Sequence, residues 1–249
     1  MSELLHYLPT VDSTNLYAVR HFETLADGTL VAARSQSAGR GRQGRLWFSP
    51  EGVNIYATLV VKTPGKPFLA GAVAGLAGIQ LVRELIPDAK VFLKWPNDIY
   101  IGHRKLAGIL CEGAGFQQGQ LIGVAAGIGI NVNLAMADLE RLDQPAISLA
   151  VAAGHTFDLR EVLDTFAGLV EQFYTLYRTQ PDELFAQWKR ENRLIGHSLS
   201  FQLPDGRVFQ GIFEDIADTG EMCLLLPDGS RQTLHCGDVR IRRDSLPVF

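Results

Sequence analysis

Arg40, Arg42 and Arg45 fall within six residues, on a backbone that also carries Gly39, Gly41 and Gly44. An arginine fork takes carboxylate or phosphate oxygens two at a time, and glycine lets the chain approach a ligand closely. The chemistry suggested is the handling of a carboxylate, a phosphate or both. Residues 39–44 also fit the G-x-G-x-x-G pattern of dinucleotide sites, but that fingerprint needs a helix directly after it. Here Trp47-Phe48-Ser49-Pro50 follows, then a strand-like run, so the dinucleotide reading fails. Without a Gly-Lys-Ser/Thr ending it is not a Walker loop either. On its own the segment describes a solvated basic loop or a nonspecific RNA contact equally well.

A second group is Lys94-Trp95-Pro96-Asn97-Asp98, followed by Lys105-Leu106-Ala107-Gly108-Ile109-Leu110. Alone, Trp-Pro-Asn-Asp is a good turn. Lys94 ends one apolar run and Lys105 opens another, however, and a buried lysine without an anion is costly. Both are therefore expected to face one cleft. Asp12-Ser13-Thr14-Asn15 suits a helix N-cap, or a polar docking point for a small ligand. Residues 127–133 close a strand-like run with Asn131 and Asn133, which a simple strand-end turn would also explain. The six histidines show no H-E-x-x-H spacing, and no G-x-S-x-G elbow exists. A cation-rich site without an enzymic nucleophile suits a reaction in which one substrate attacks another.

The elements that would carry these residues mix helix and strand. Residues 16–22 read as a capped helix, and 30–33 and 54–61 as strands. Residues 68–86 read as a helix with Gly71, Gly75 and Gly78 on one face, ending at Pro87-Asp88. Strands follow at 91–94, 99–101, 107–112 and 121–130, with a hairpin-like bend at 102–105. No helix separates them, which favours a mixed, largely antiparallel sheet with helices over a doubly wound one. Apolar residues at helical spacing mark a helix over 159–178, and Pro181 opens another to about residue 192. Beyond Gly196, short runs at 199–203, 208–213, 222–226 and 239–241 alternate with turns at 204–206, 219–220 and 227–229. The class is therefore α+β, with a main domain over 1–192 and a small C-terminal β-barrel over 193–249.

Composition narrows the partners. The 249 residues are 47% hydrophobic and 20% charged, ordinary values for a globular chain. Lys and Arg number 23 against 27 Asp and Glu, a net charge of −4, so no global basic field exists for wrapping nucleic acid. Cys111, Cys223 and Cys236 form no C-x-x-C pair, against a disulfide framework or a zinc ribbon. No basic segment followed by an apolar core opens the chain. The longest uncharged run, 68–82, is shorter than the roughly 20 residues a membrane span needs. A soluble, cytoplasmic protein without membrane partners is expected.

Taken together and in order, 12–15, 36–45, 47–50, 94–98, 105–110 and 127–131 resemble the biotin protein ligases, the biotin–[acetyl-CoA-carboxylase] ligases. The resemblance spans essentially the whole chain, and the Gly-Arg-Gly-Arg-x-Gly-Arg and Lys-Trp-Pro-Asn-Asp pair makes it specific. It implies a sheet related to class II aminoacyl-tRNA synthetases, followed by an SH3-like barrel. It also implies a two-step reaction: biotin and ATP give biotinyl-5′-adenylate, which a lysine of a biotin carboxyl carrier protein then attacks. Lys105, Arg42 and Arg40 would be catalytic. Ser13, Thr14, Asn15, Gln36, Gly39, Arg40, Gly41, Arg42, Lys105 and Gly108 would bind biotin. Arg42, Arg45, Trp47, Lys94, Asn97, Asp98 and Asn131 would bind ATP, and Asp98 would meet Mg²⁺.

The resemblance has departures. The loop at 143–147, Asp-Gln-Pro-Ala-Ile, lacks the tryptophan that stacks on adenine in some relatives. The ligase motif begins at Asp12, so a monofunctional form without the DNA-binding domain of repressor relatives, and without specific DNA binding, is expected. Relatives occur as monomers or dimers, so a homodimer remains an option. The competing readings are a lipoate or octanoate ligase of the same architecture and a nonenzymatic RNA-binding protein.

Overall fold

The strands between residues 5 and 130 build one seven-stranded sheet. In chain order these are β1 (Leu5–Leu8), β2 (Leu30–Ala33), β3 (Ile55–Lys62), β4 (Val91–Lys94), β5 (Asp98–Ile101), β6 (Arg104–Gln117) and β7 (Gln120–Ile130). Across the sheet they run β1-β2-β3-β7-β6-β5-β4. This is a computed structural model, and it describes residues 4–62, 65–203, 205–235, 240–242 and 245–247. The pairing of β1 with β2 is parallel, while the five other pairings are antiparallel. The mixed, largely antiparallel sheet expected from the sequence is thus what forms.

Helix α1 (Thr14–Arg20) lies against one face of this sheet, over β3, β6 and β7. Helix α2 (Leu69–Leu85) packs on β6 and β7, with α5 (Leu159–Thr179) and α6 (Pro181–Glu191) stacked on it. Its expected glycine face is real. Added β-carbons at Gly71, Gly75 and Gly78 would press into Cys111 and Ile109, into Leu93 and Ile109, and into Ile99 and Ile128. Short helices α3 (Met136–Leu139) and α4 (Leu149–Ala153) flank the loop between them. Neither is foreshadowed by sequence pattern, being only four and five residues long.

The remaining strands are β8 (Ser198–Gln202), β9 (Val208–Ile216), β10 (Met222–Leu225), β11 (Arg231–Leu234) and β12 (Arg240–Ile241). They form an antiparallel sheet ordered β11-β10-β9-β8-β12, the small SH3-like unit. Among the described residues β11 and β12 do not pair, so the barrel is not closed. Of the expected features, Pro204, Cys236 and Val239 lie outside the described residues. The apolar core runs on from the first sheet into this one, through Trp95, Phe201 and Phe213. The Trp95 indole donates to the Gly220 carbonyl at 3.1 Å and meets Phe213 edge-on. Among the described residues no helix is long and apolar enough to cross a membrane.

Candidate functional site

A cleft of about 1300 Å³ opens on the α1 side of the sheet. Its floor is glycine. Gly108 of β6 pairs with Gly129 of β7, and Gly127 lies two residues away on the same face. Successive strand residues alternate faces, so these three present bare backbone to one space. The space is filled from above: a side chain at Gly127 would overlap the Asn15 amide, and one at Gly129 would overlap the Trp47 indole.

Around Asn15 the polar groups form a continuous chain. Asn15 Nδ2 donates to the Leu110 carbonyl at 3.0 Å and to Glu112 Oε2 at 2.9 Å. The Thr58 hydroxyl lies 2.7 Å from Asn15 Oδ1 and 2.9 Å from the Thr14 hydroxyl. A hydroxyl has one proton, and the amide oxygen has none to offer, so Thr58 gives its proton to Asn15, while the Thr14 hydroxyl has both Thr58 and Gln36 Oε1, 3.2 Å away, as acceptors. Thr14 N–H donates to Gln36 Oε1 at 2.9 Å, Gln36 Nε2 to Ser49 Oγ at 2.9 Å, and Ser49 Oγ to the Trp47 carbonyl at 2.9 Å. Thr14, Asn15 and Thr58 are almost fully buried, where an unmet polar group costs about 1–3 kcal/mol. Of the two readings of residues 12–15, an N-cap or a polar docking point, the first holds for the backbone position only. Ser13 occupies the N-cap position of α1, but its side chain makes no capping bond. The neighbouring Asp12 instead accepts from the Ser13 N–H and pairs with Arg20, whose guanidinium holds its carboxyl down at about 2.

The arginine–glycine segment is a small hairpin laid across the cleft. Trp47 N–H donates to the Gly39 carbonyl at 2.9 Å and Gly41 N–H to the Arg45 carbonyl at 2.7 Å. A 3₁₀ turn at Arg42–Gly44 makes the tip, with Gln43 and Gly44 at positive φ. Two arginines tie it down. Arg40 reaches Glu112 at 3.1 Å, and Arg42 Nη1 donates to Asn97 Oδ1 at 2.9 Å. The Tyr56 hydroxyl fixes the far end by donating to the Pro50 carbonyl at 2.8 Å, and burial pushes this phenol above its usual range.

The opposite wall carries charge. Lys105 Nζ lies 2.6 Å from Asp98 Oδ1, both side chains being only 13–14% exposed. No donor meets that Asp98 oxygen at hydrogen-bonding angles, so the contact is an ion pair alone. The Lys105 ammonium also stands 5.5 Å over the Trp47 ring, whose buried Nε1 has no hydrogen-bond partner among the described residues. Lys94 stands 5.5 Å over the Tyr100 ring. Asn97 Nδ2 donates to the Ile109 carbonyl at 2.7 Å, which locks the β4–β5 turn onto β6.

The cleft gathers Ser13, Thr14, Asn15, Gln36, Gly39, Arg40, Gly41, Arg42, Arg45, Trp47, Lys94, Asn97, Asp98, Lys105 and Gly108. Asn131 stands apart from that lining. It is buried, and its Nδ2 donates to the Ile147 carbonyl at 3.1 Å, holding the 145–149 loop beside Lys105. Sequence reasoning missed Glu112, Thr58 and Ser49, and also Gln202 and Arg242, which reach the cleft from the second sheet. Glu112 left a signal, a charge in an otherwise apolar strand; Thr58 left none. Among the described residues no group of three or more His, Cys, Asp or Glu side chains could cage a metal ion.

Comparison with known proteins gives this arrangement a family. Residues 7–131 match the biotin/lipoate A/B protein ligase family, and residues 195–242 match the biotin protein ligase C terminal domain. The biotin–[acetyl-CoA-carboxylase] ligase of Paracoccus denitrificans is 34% identical over 245 residues, covering 93% of this chain and 98% of that protein. The bifunctional ligase/repressor BirA of Salmonella typhimurium is 33% identical over 239 residues, covering 94% of this chain and 73% of that protein. Among solved structures, the biotin protein ligase from Aquifex aeolicus in complex with biotin and ATP superposes with a TM-score of 0.77. It is 25% identical, over 97% of this chain and 99% of its own.

Proposed function

The chain belongs to the biotin/lipoate A/B protein ligase family, and from that premise we propose that its cleft joins biotin to ATP and passes the biotinyl group to a carrier protein. In the first step a biotin carboxylate oxygen attacks the α-phosphorus. The bond to the bridging oxygen breaks, pyrophosphate leaves, and biotinyl-5′-AMP remains. In the second step a lysine amine of a biotin carboxyl carrier protein attacks the acyl carbon, loses a proton and releases AMP.

The observation that carries this reading is the convergence of Arg40, Arg42 and Lys105 on one cleft beside the hydrogen-bonded network of Thr14, Asn15 and Gln36. Two anions must meet in the first step, and fixed cations lower the cost of that approach. Positioning supplies the rest, because attack by one substrate on the other needs no enzymic nucleophile. Ser13, Thr14, Asn15, Gln36, Gly39, Gly41 and Gly108 hold the biotin side. Lys105 faces the carboxylate, and Arg40 and Arg42 close over the acyl phosphate. Arg45, Trp47, Lys94, Asn97 and Asp98 face the nucleotide, and Asn131 supports that side through the 145–149 loop. The hairpin shields the mixed anhydride from water.

A divalent cation fits this donor set in one way only. Asp98 is a single carboxylate, which suits Mg²⁺ held mainly by triphosphate oxygens and water rather than by a protein cage. Bound there, the ion would offset phosphate charge. We place the reaction in the cytoplasm and the boundary between the catalytic and C-terminal units at 192–193. The two family matches, ending at 131 and starting at 195, support that boundary.

ATP–pyrophosphate exchange, measured with biotin, lipoate or octanoate before any carrier is added, tests the function. Exchange with biotin alone is expected. Exchange with lipoate instead would assign the chain to the lipoate branch, and none with any acid would sink the reading.

A further inference from the structure

Glu112 lies outside the cleft lining yet touches two groups that belong to it. Its Oε2 accepts from Asn15 Nδ2 at 2.9 Å, and its Oε1 lies 3.1 Å from the Arg40 guanidinium. On β6, residues 108, 110 and 112 share one face. Gly108 and Leu110 line the cleft, while Glu112 sits one step beyond, behind Asn15.

We infer that Glu112 is a positioning residue that sets the affinity for the acid substrate by aligning Asn15 and Arg40 together. The inference rests on the biotin reading given above. The chemistry of the Asn15 amide is decisive. Its two N–H bonds are spent on the Leu110 carbonyl and on Glu112, and its oxygen takes the Thr58 proton. A carboxylate can only accept, so it forces the nitrogen end of the amide toward β6 and the oxygen toward Thr58. The Asn15 orientation in turn fixes the Thr58 proton. The second carboxylate oxygen, with its residual negative charge, holds the guanidinium at the root of the hairpin. Arg40 has no other ion pair among the described residues. With its side chain only 23% exposed, Glu112 is shielded enough for that charge to act more strongly than in a surface pair. One side chain thus couples the fixed floor of the acid site to the segment that covers it.

Glu112→Gln keeps the length but removes the charge, and brings an N–H toward groups that already donate. In the exchange assay KM for biotin is expected to rise about tenfold, the worth of one charge-assisted hydrogen bond. KM for ATP should stay at the wild-type value. In an Arg40→Ala, Asn15→Ala background the same substitution should cost nothing further, because both groups it acts through are gone. Should Glu112→Gln destabilise the fold, Glu112→Asp replaces it. The shorter arm reaches Arg40 or Asn15 but not both, so the biotin-specific rise is again expected. A biotin KM within about twofold of wild type, a matching rise for ATP, or a cost that persists in the double background would overturn the proposal alone. Absence of biotin-dependent exchange in the wild-type protein would overturn the functional reading, and this inference with it.

Discussion

The two walls of the cleft are built on opposite plans. On the α1 wall, Thr14, Asn15, Gln36, Ser49 and Thr58 close on one another, so every link has its partner before any ligand arrives. On the β4–β5 side, a buried ion pair joins Lys105 to Asp98, and among the described residues the buried Asp98 Oδ1 lacks a hydrogen bond, as does Trp47 Nε1 in the hairpin facing it. A satisfied network holds its shape and can recognise a neutral ring system at little cost in ordering. A wall built on an ion pair with an unmet polar atom is suited to partners that bring charge of their own. On the proposed reading, recognition falls to one wall and activation to the other, and the arginine hairpin bridges them through Arg40–Glu112 on one side and Arg42–Asn97 on the other.

Substitutions on the two walls should therefore fail differently. Lys105→Ala removes the ammonium between the walls and strands Asp98 as a buried charge. Biotin-dependent exchange should fall about 10²–10³-fold, as when a preorganised electrostatic group is lost. An equal loss from a conservative change on the α1 wall would erase the contrast. Gly127→Ala attacks that wall by displacing the Asn15 amide. Calorimetry should show biotin binding weakened about thirtyfold, with ATP binding unchanged, for the loss of one or two buried hydrogen bonds.

Arg42→Gly cuts the hairpin from Asn97 and leaves the α1 wall whole. Adenylation should continue while free biotinyl-AMP appears about tenfold faster, a ratio read by comparing adenylate release with carrier labelling. An unchanged release rate would remove the hairpin's bridging role. The smallest effect belongs to Asp12 at the start of α1. Its carboxyl is held at about 2 rather than 3.8 by Arg20, so the pair favours the fold above pH 3.8 and that contribution is lost as pH falls toward 2. Asp12→Asn should lower the thermal midpoint at pH 7 by no more than about 2 °C, given an exposed pair, and by clearly less at pH 2, where about half of the folded carboxyl is protonated.

How much of this was legible in the sequence depended on distance along the chain. Strand β2 formed at the expected residues, 30–33, because its β-branched and small apolar residues are bounded by local turn signals. The hairpin and the 94–98 turn were visible because their chemistry is packed into short spacings. Strand β1, Leu-His-Tyr-Leu, was not, since only its parallel pairing with β2 makes it a strand. Strand β11 was missed for the same reason: Arg-Gln-Thr-Leu gains its conformation from β10. Glu112 was a charge in an apolar run, but its partner Asn15 lies 97 residues away and only the fold brings them together. Gln202 and Arg242 reach the cleft from the second sheet, which no local spacing announces.

The division of labour is tested most directly by titrating the wild-type protein with biotin in the absence of nucleotide, following heat. A preformed α1 wall predicts saturable binding of one biotin per chain without ATP. Binding that appears only after ATP is added would mean the acid site is assembled by the nucleotide, and would contradict the account.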